Sequence, residues 1–135
     1  MRQKVIMLAT ACAMSVLVSS AFAKRSPPKV VTPVAKDGIE YSAPVDREGF
    51  VVATWVKTGR KIWSRQVYVI KYEYKLGLES DIQSCFITEL ELQGRKLKIK
   101  NERNAEFELD LDTMDVKAIK GQAVIDYTNY RPPEK

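Results

Sequence analysis

The chain has 135 residues, enough for one small domain with a modest hydrophobic core. Its 22 basic and 17 acidic residues interleave along the sequence, and this mild basic excess without a polybasic block argues against nucleic-acid binding. It contains no histidine, which excludes Ser-His-Asp and Cys-His catalysis and histidine-ligated zinc. We predict no catalytic residue, no cofactor and no metal site, and we do not expect an enzyme.

Residues 1–23 have the pattern of a secretory signal peptide. Two basic residues precede an uncharged stretch from Val5 to Val18, and Ala21 and Ala23 occupy the small-residue positions before a cleavage site. The stretch is too short to span a membrane. We therefore predict cleavage after Ala23, a periplasmic or secreted location, and no membrane span afterwards. The alternative, lipoprotein cleavage before Cys12, would leave a membrane-anchored protein.

The next segment, residues 24–37, contains three prolines and no periodicity, which favours a flexible, extended arm. Strand signals then dominate residues 38–130, and prolines at 132 and 133 mark a disordered tail over 131–135. Residues 57–60 predict a turn, after which residues 62–74 read as one long strand or two consecutive strands.

An aromatic stripe runs through the second half of that strand region. Tyr68, Ile70, Tyr72 and Tyr74 share one side at a period of two, and the segment from Val67 to Ile70 is expected to be the most buried. Two interpretations stay open: packing within a half-buried core, or a platform for a glycan or peptide.

The register of the following three strands can be derived from hydrophobicity and charge together. Apolar residues fall on even numbers from Phe86 to Leu92 and on odd numbers in the next strand. A two-residue loop at 94–95 and a three-residue loop at 102–104 then place apolar residues opposite apolar residues on one face of the sheet and opposite charges facing each other on the other face. The apolar pairs are Leu92 with Leu97, Leu90 with Ile99, Ile99 with Phe107, and Leu97 with Leu109. The polar pairs are Glu91 with Lys98, Glu89 with Lys100, Lys98 with Glu108, and Lys96 with Asp110. This predicts a three-stranded meander with a Glu-Lys-Glu ladder facing water.

Few other residues suggest chemistry. Cys85 is the only cysteine left after leader removal, and it is expected to be a buried core thiol, with an intermolecular disulfide as the alternative. Glu79 and Asp81 lie in a connection between strands, where functional residues concentrate, although a cap or turn role also explains them. The acidic residues at 110, 112 and 115 lack the Gly and terminal Glu of an EF-hand loop.

Residues 53–63, A-T-W-V-K-T-G-R-K-I-W, resemble the A-x-D-x-x-T-G-x-x-x-W signature of pyrroloquinoline-quinone-type (PQQ-like) β-propeller repeats, with Trp55 in place of Asp. Residues 90–113 are similar to a second repeat, which typically ends in L-D-x-x-T-G, and here Met114 replaces the Gly. The resemblance implies that Gly59 opens a turn and that Trp63 docks one blade against the next. It implies no activity. The layout of this chain also resembles that of an uncharacterised family of short exported proteins, for which no activity is implied.

We therefore predict an all-β fold: one domain of about six to eight antiparallel strands, arranged as a blade-like meander, curled sheet or small sandwich. A closed propeller, which needs about four or more blades, is not expected, and neither is a quinone site. The predicted function is a non-catalytic binding module of the bacterial cell envelope that contacts an envelope protein through a sheet edge or an aromatic face. Small-molecule or glycan binding by the Trp/Tyr face is the alternative, and self-association through open strand edges is left open. The candidate interaction residues are Trp55, Trp63, Tyr68, Tyr72, Tyr74, Glu79 and Asp81.

Overall fold

The computed structural model describes residues 25–74 and 80–127, which form ten strands and one short helix. The elements are β1 (Val34–Lys36), β2 (Ile39–Ser42), β3 (Phe50–Trp55), β4 (Lys61–Gln66), β5 (Val69–Lys71), α1 (Ser80–Gln83), β6 (Ile87–Gln93), β7 (Lys96–Asn101), β8 (Glu106–Asp110), β9 (Val116–Lys120) and β10 (Val124–Asp126).

Eight of the strands build two antiparallel meanders of the same design. One four-stranded sheet has the order β1-β2-β3-β4 and the other has the order β6-β7-β8-β9, and we call them blade 1 and blade 2. The all-β, mainly antiparallel fold is confirmed, and the described residues contain no closed barrel or propeller. The ten strands exceed the predicted six to eight in part because β1 forms within the segment predicted to be a flexible arm. Within that segment Val31 is also buried, so part of it is integrated into the domain.

The derived register of blade 2 is confirmed at all eight residue pairs, including the apolar pair Leu90–Ile99 and the charged pair Lys98–Glu108. Gly94 has a positive φ of 63° and its neighbour Arg95 does not, which fits the expected two-residue loop. The sequence interpretation was wrong at the start of β6. A bulge between Ile87 and Glu89 shifts the strand by one residue, so Ile87 is buried while Phe86 is only half-buried.

The remaining two strands form a parallel pair, which differs from the purely antiparallel prediction. β10 runs beside β5 with Ile125 opposite Ile70, and the Val69 N–H donates to the Ala123 carbonyl at 2.9 Å. The long strand signal over 62–74 is thus divided in two. The division falls at Val67 and Tyr68, which are buried as predicted but lie outside either strand. The prediction that the segment from Val67 to Ile70 is the most buried strand was wrong, because Val69 is 43% exposed and Ile70 is only half-buried on the short strand β5.

The blades share one hydrophobic core. A single cluster of buried side chains includes Val51 and Ala53 from blade 1 and Leu97 and Phe107 from blade 2. Tyr68 joins them: its ring stacks on Phe107 with centroids 5.3 Å apart. Its hydroxyl donates to the Cys85 carbonyl at 2.6 Å. Polar contacts also cross between the blades, since Lys36 donates to the Gly94 carbonyl at 3.2 Å and Arg65 to the Met114 carbonyl at 3.1 Å.

Cys85 lies in this core, as the sequence predicted. Its side chain is buried, and burial raises the pKa of the thiol above its usual value. A thiol held in its neutral form is a poor nucleophile. Its position is therefore that of a packing residue.

Candidate functional site

The turn after β8 in blade 2 is closed by a capping carboxylate. The Met114 N–H donates to the Asp110 carbonyl at 2.8 Å, and Asp110 Oδ1 accepts the backbone N–H groups of Asp112 at 2.8 Å and Thr113 at 3.1 Å. These two bonds lower the pKa of Asp110. Met114 has a positive φ of 64° at the position where the repeat pattern places Gly. The turn geometry implied by the resemblance is therefore present although the Gly is not.

The turn after β3 in blade 1 repeats this backbone geometry at every comparable bond. The Gly59 N–H donates to the Trp55 carbonyl at 2.7 Å, and the Trp55 N–H donates to the Arg60 carbonyl at 2.9 Å. The bond from Trp55 to Arg60 has its equivalent in blade 2, where the Asp110 N–H donates to the Asp115 carbonyl, also at 2.9 Å. The threonine hydroxyls correspond as well. The Thr58 hydroxyl accepts the Arg60 N–H at 3.2 Å in blade 1, and the Thr113 hydroxyl accepts the Asp115 N–H at 3.3 Å in blade 2.

The two turns differ at the capping position. Trp55 stands where Asp110 stands in blade 2, and an indole has no oxygen to accept backbone N–H groups. Blade 1 therefore lacks the side-chain cap, and the Trp55 side chain is instead left 45% exposed. A large aromatic residue has replaced a stabilising acid at the end of a hairpin, so local stability does not explain its presence.

Trp55 borders a shallow depression of about 540 Å³ at this end of blade 1. Its other lining residues are Asp37, Gly38, Lys57, Thr58 and Arg60. The Asp-Gly pair at 37–38 forms the β1–β2 turn, with positive φ at both residues, as hairpins of this type require. Two adjacent hairpin turns thus build the depression.

The charge around the depression is positive. Between Gly49 and Tyr72 the sequence contains five basic and no acidic residues, and Lys57 and Arg60 stand at the rim. Both are exposed, and Asp37 supplies the one carboxylate among the lining residues. The site therefore combines an accessible aromatic surface with two cationic groups, a combination suited to binding an anionic or acidic partner surface. We call it the Trp55 site.

The other aromatic candidates do not join Trp55 on one face. Trp63 is half-buried beside Tyr41, with ring centroids 5.8 Å apart, and packs against the shared core. Tyr68 is fully buried, whereas Tyr74 is 91% exposed at the end of a described segment. The stripe predicted from the period of two is broken because the chain leaves β4 before Tyr68 and re-enters a strand only at β5.

Tyr72 belongs to a polar cluster under the connection that follows β5. Its hydroxyl donates to Glu48 at 2.5 Å, and burial together with this carboxylate raises the pKa of Tyr72 to about 12. The buried Gln83 side chain bonds both backbone groups of Glu73, at 2.5 and 2.8 Å, and so fastens α1 to this segment. These contacts hold the chain in place and point to a structural role. Glu79 and the side chain of Asp81 lie outside the described residues.

Sequence reasoning identified Trp55 as a departure from the repeat pattern but did not identify its basic rim. The rim results from the folded arrangement of two hairpin turns. The run without acidic residues from 49 to 72 is the sequence signal that would have indicated it. Across residues 25–74 and 80–127, no group of three or more Cys, Asp and Glu side chains is arranged to hold a metal ion. Over the same residues no helix has the length and apolar character of a membrane span.

Comparison with known protein-family models finds no match, and neither does comparison with curated proteins. Among solved structures the chain is similar to BamB from Moraxella catarrhalis, at 16% sequence identity and a TM-score of 0.51. The similarity covers 77% of this chain and 32% of BamB, so the chain spans about a third of that protein's length. At this identity the likeness shows the fold alone, and it supports a propeller-like arrangement of sheets. The assignment to PQQ-type repeats in particular receives no support from a family match.

Proposed function

We propose that this protein is an exported, non-catalytic binding module of the bacterial cell envelope that engages a protein partner through the Trp55 site. The leader-like pattern of residues 1–23 supports export. The observation that carries the proposal is the exchange of a capping Asp for an exposed Trp between two turns of otherwise equal geometry. Residues that break a local stability rule are expected at functional positions.

The composition of the site fits a protein interface. Tryptophan and arginine are the residue types most enriched among those that dominate binding energy, and Trp55 and Arg60 lie together at this site. The indole supplies apolar area, while Lys57 and Arg60 favour a partner surface with acidic groups. Such charges mainly accelerate association and reject unsuitable partners, and the buried aromatic contact supplies most of the affinity.

Glycan or small-molecule binding at the same site is the second candidate. A depression of about 540 Å³ is within the range of small-molecule pockets, and an exposed indole can stack on a sugar ring. Trp fluorescence separates the two candidates. Saturable quenching by envelope glycans, absent in Trp55→Phe but present in Trp63→Phe, would favour glycan binding.

Cross-linking in the native envelope tests the leading proposal. The full-length chain with a C-terminal tag is expressed from its own leader, and cross-linked proteins are identified by mass spectrometry for the wild type, Trp55→Ala and Tyr74→Ala. The proposal expects one reproducible protein that is lost in Trp55→Ala and retained in Tyr74→Ala, whose aromatic ring is more exposed but lies outside the site. A folded, exported protein with no partner, or a partner retained by Trp55→Ala, would overturn it.

A further inference from the structure

The outer face of blade 2 carries one sign of charge on each strand. The outward-facing charged residues are Glu89 and Glu91 on β6, Lys96, Lys98 and Lys100 on β7, Glu106, Glu108 and Asp110 on β8, and Lys117 and Lys120 on β9. The sign therefore alternates across the sheet from acidic to basic to acidic to basic. Sequence reasoning found the first three strands of this pattern and missed the fourth, because the bulge between Glu106 and Phe107 obscures the register of β9.

The basic strand β9 is the outer edge of blade 2, and its two lysines lie opposite Glu106 and Glu108 of β8 without forming ion pairs with them. Glu108 lies opposite Lys117, but its two oxygens bind Lys96 at 2.7 Å and Lys98 at 2.6 Å. Over residues 25–74 and 80–127, neither Lys117 nor Lys120 forms an ion pair. Lys117, Ala118, Ile119 and Lys120 are all exposed.

The backbone of β9 also has groups available for a further strand. The bond from the Asp110 N–H to the Asp115 carbonyl sets the phase of the β8–β9 ladder. With that phase and the observed register, Lys117 directs its backbone groups toward β8, while Val116 and Ala118 direct theirs away from the sheet. Among the described residues no strand pairs with this edge of β9, and such an edge can accept an extended segment by strand addition.

We propose that β9 binds an extended acidic segment of a partner protein as a fifth strand of blade 2. Carboxylates at alternate positions of that segment would face Lys117 and Lys120 and continue the alternation of charge, while its backbone bonds Val116 and Ala118. Apolar residues at the intervening positions would extend the core-facing side of the sheet. This surface lies on blade 2, so the inference goes beyond the Trp55 site and does not depend on it.

The outer edge of blade 1 is less suited to the same partner. Arg65 on β4 already donates to the Met114 carbonyl at 3.1 Å, and Ser64 accepts from Arg47 at 3.0 Å. Strand β4 therefore has part of its polar surface occupied by contacts within the chain. It serves as the matched control edge.

Peptide titration tests the inference with the purified full-length protein. The probes are two fluorescein-labelled eight-residue peptides, one alternating Glu with Val and the other alternating Lys with Val, measured by fluorescence anisotropy at low and high salt. We expect saturable binding of the acidic peptide that weakens as salt is added and at least about tenfold weaker binding of the basic one. Equal binding of both peptides would overturn the proposal.

Three variants locate the binding edge. Ala118→Pro removes an outward N–H that the sheet itself does not use, a placement that edge strands tolerate, and it should abolish binding of the acidic peptide. Lys117→Gln with Lys120→Gln should weaken that binding roughly tenfold with little effect on folding. Lys61→Gln on β4 should leave it unchanged. Circular dichroism confirms folding of each variant, and if Ala118→Pro unfolds, the double Gln variant decides the outcome.

Self-association is the alternative occupant, because β6 of a second copy also alternates acidic with apolar residues. Sedimentation at several protein concentrations detects it. A dimer that disappears in the Lys117→Gln, Lys120→Gln variant would replace the partner segment with a second copy and overturn the proposal. Loss of peptide binding in Ala118→Pro combined with normal cross-linking at the Trp55 site would show that the two surfaces act separately.

Discussion

Position 55 shows how the two blades differ at one side chain of an otherwise equal turn. In blade 2 the corresponding carboxylate of Asp110 accepts two backbone N–H groups, and these bonds stabilise the folded turn. In blade 1 the same turn forms without them, which means that the hairpin and the core suffice to hold its backbone. The backbone of this turn therefore does not require a side-chain cap, and the exposed part of the indole is accessible to solvent.

Restoring the carboxylate at this position should stabilise the protein. We expect Trp55→Asp to raise the free energy of unfolding by about 1 kcal/mol through the two new capping bonds, while abolishing binding at the Trp55 site. Urea denaturation measures the stability change, and Trp55→Asn, which can accept the same bonds without the charge, is the matched control. A destabilised Trp55→Asp variant would mean that the indole contributes to folding.

Glu108 gives blade 2 a dependence on acid. Its bonds to Lys96 and Lys98 lower the pKa of the carboxyl from 4.5 to about 2. Because the folded-state pKa is below the unfolded one, its stabilising contribution is complete above about pH 4.5 and is lost as the pH falls toward 2.

Glu108→Gln should therefore be less thermally stable than the wild type at pH 7 and should approach it in stability at pH 2. Thermal unfolding followed by circular dichroism at pH 7, 4 and 2 tests this. Glu91→Gln is the control, since the ammonium of the facing Lys98 binds Glu108 instead. A pH-independent difference for Glu108→Gln would contradict the ion-pair assignment.

At the scale of the element, the fold was most predictable where hydrophobicity and charge constrain the same register. Blade 2 met that condition from Leu90 to Leu109, because a shift by one residue would have exposed apolar side chains and misplaced charges together. Blade 1 offered no charge ladder, so its strands could be recognised but not paired. The bulge at Thr88 and the break at Val67 and Tyr68 depend on tertiary packing, which a local pattern does not report.

The close approach of the Tyr68 backbone to the start of β3 makes Gly49 far less tolerant of substitution than Gly59. Gly49 has a φ of 76°, and a Cβ there would lie 2.5 Å from the Tyr68 carbonyl oxygen. Gly59, in the turn after β3, has a φ of 66°, and a Cβ there would have no atom within 4 Å apart from those of its immediate chain neighbours. We expect Gly49→Ala to lower the free energy of unfolding by at least about 3 kcal/mol and Gly59→Ala by about 1 kcal/mol. Urea denaturation of both variants provides the comparison, and equal losses would contradict the close approach.

At the scale of the whole molecule, the two blades share one hydrophobic core, and we expect them to unfold as one cooperative unit. Both tryptophans lie in blade 1, so their fluorescence reports on that blade alone. Phe107→Ala in blade 2 removes a fully buried ring that stacks on Tyr68, and such truncations cost about 3 to 5 kcal/mol. We expect the fluorescence transition to shift with the circular dichroism transition by the same amount. Two separate transitions would mean that the blades fold independently.

Blade-like antiparallel sheets were predictable from the strand pattern, but their arrangement as two four-stranded blades was left open, and the candidate site was predictable only in part. Trp55 was identified as a departure from a pattern, but the neighbouring Asp37 comes from a different hairpin and is brought beside it only by folding. The sequence did not predict that Lys117 on β9 lacks an ion pair with the facing Glu108, because both oxygens of that carboxylate bind Lys96 and Lys98 on the other side.

The parallel pairing of β5 with β10 has a consequence for the order in which the chain folds. β5 is synthesised before blade 2, yet its partner is completed only after all of blade 2 has emerged. Pairing over so long a sequence separation must overcome a large loop-closure entropy, and such contacts form late and slowly. β5 would thus remain without its partner strand until the rest of the described chain has been synthesised, and an unpaired strand is exposed to aggregation. Refolding rates should then be limited by the arrival of the last strand rather than by either meander.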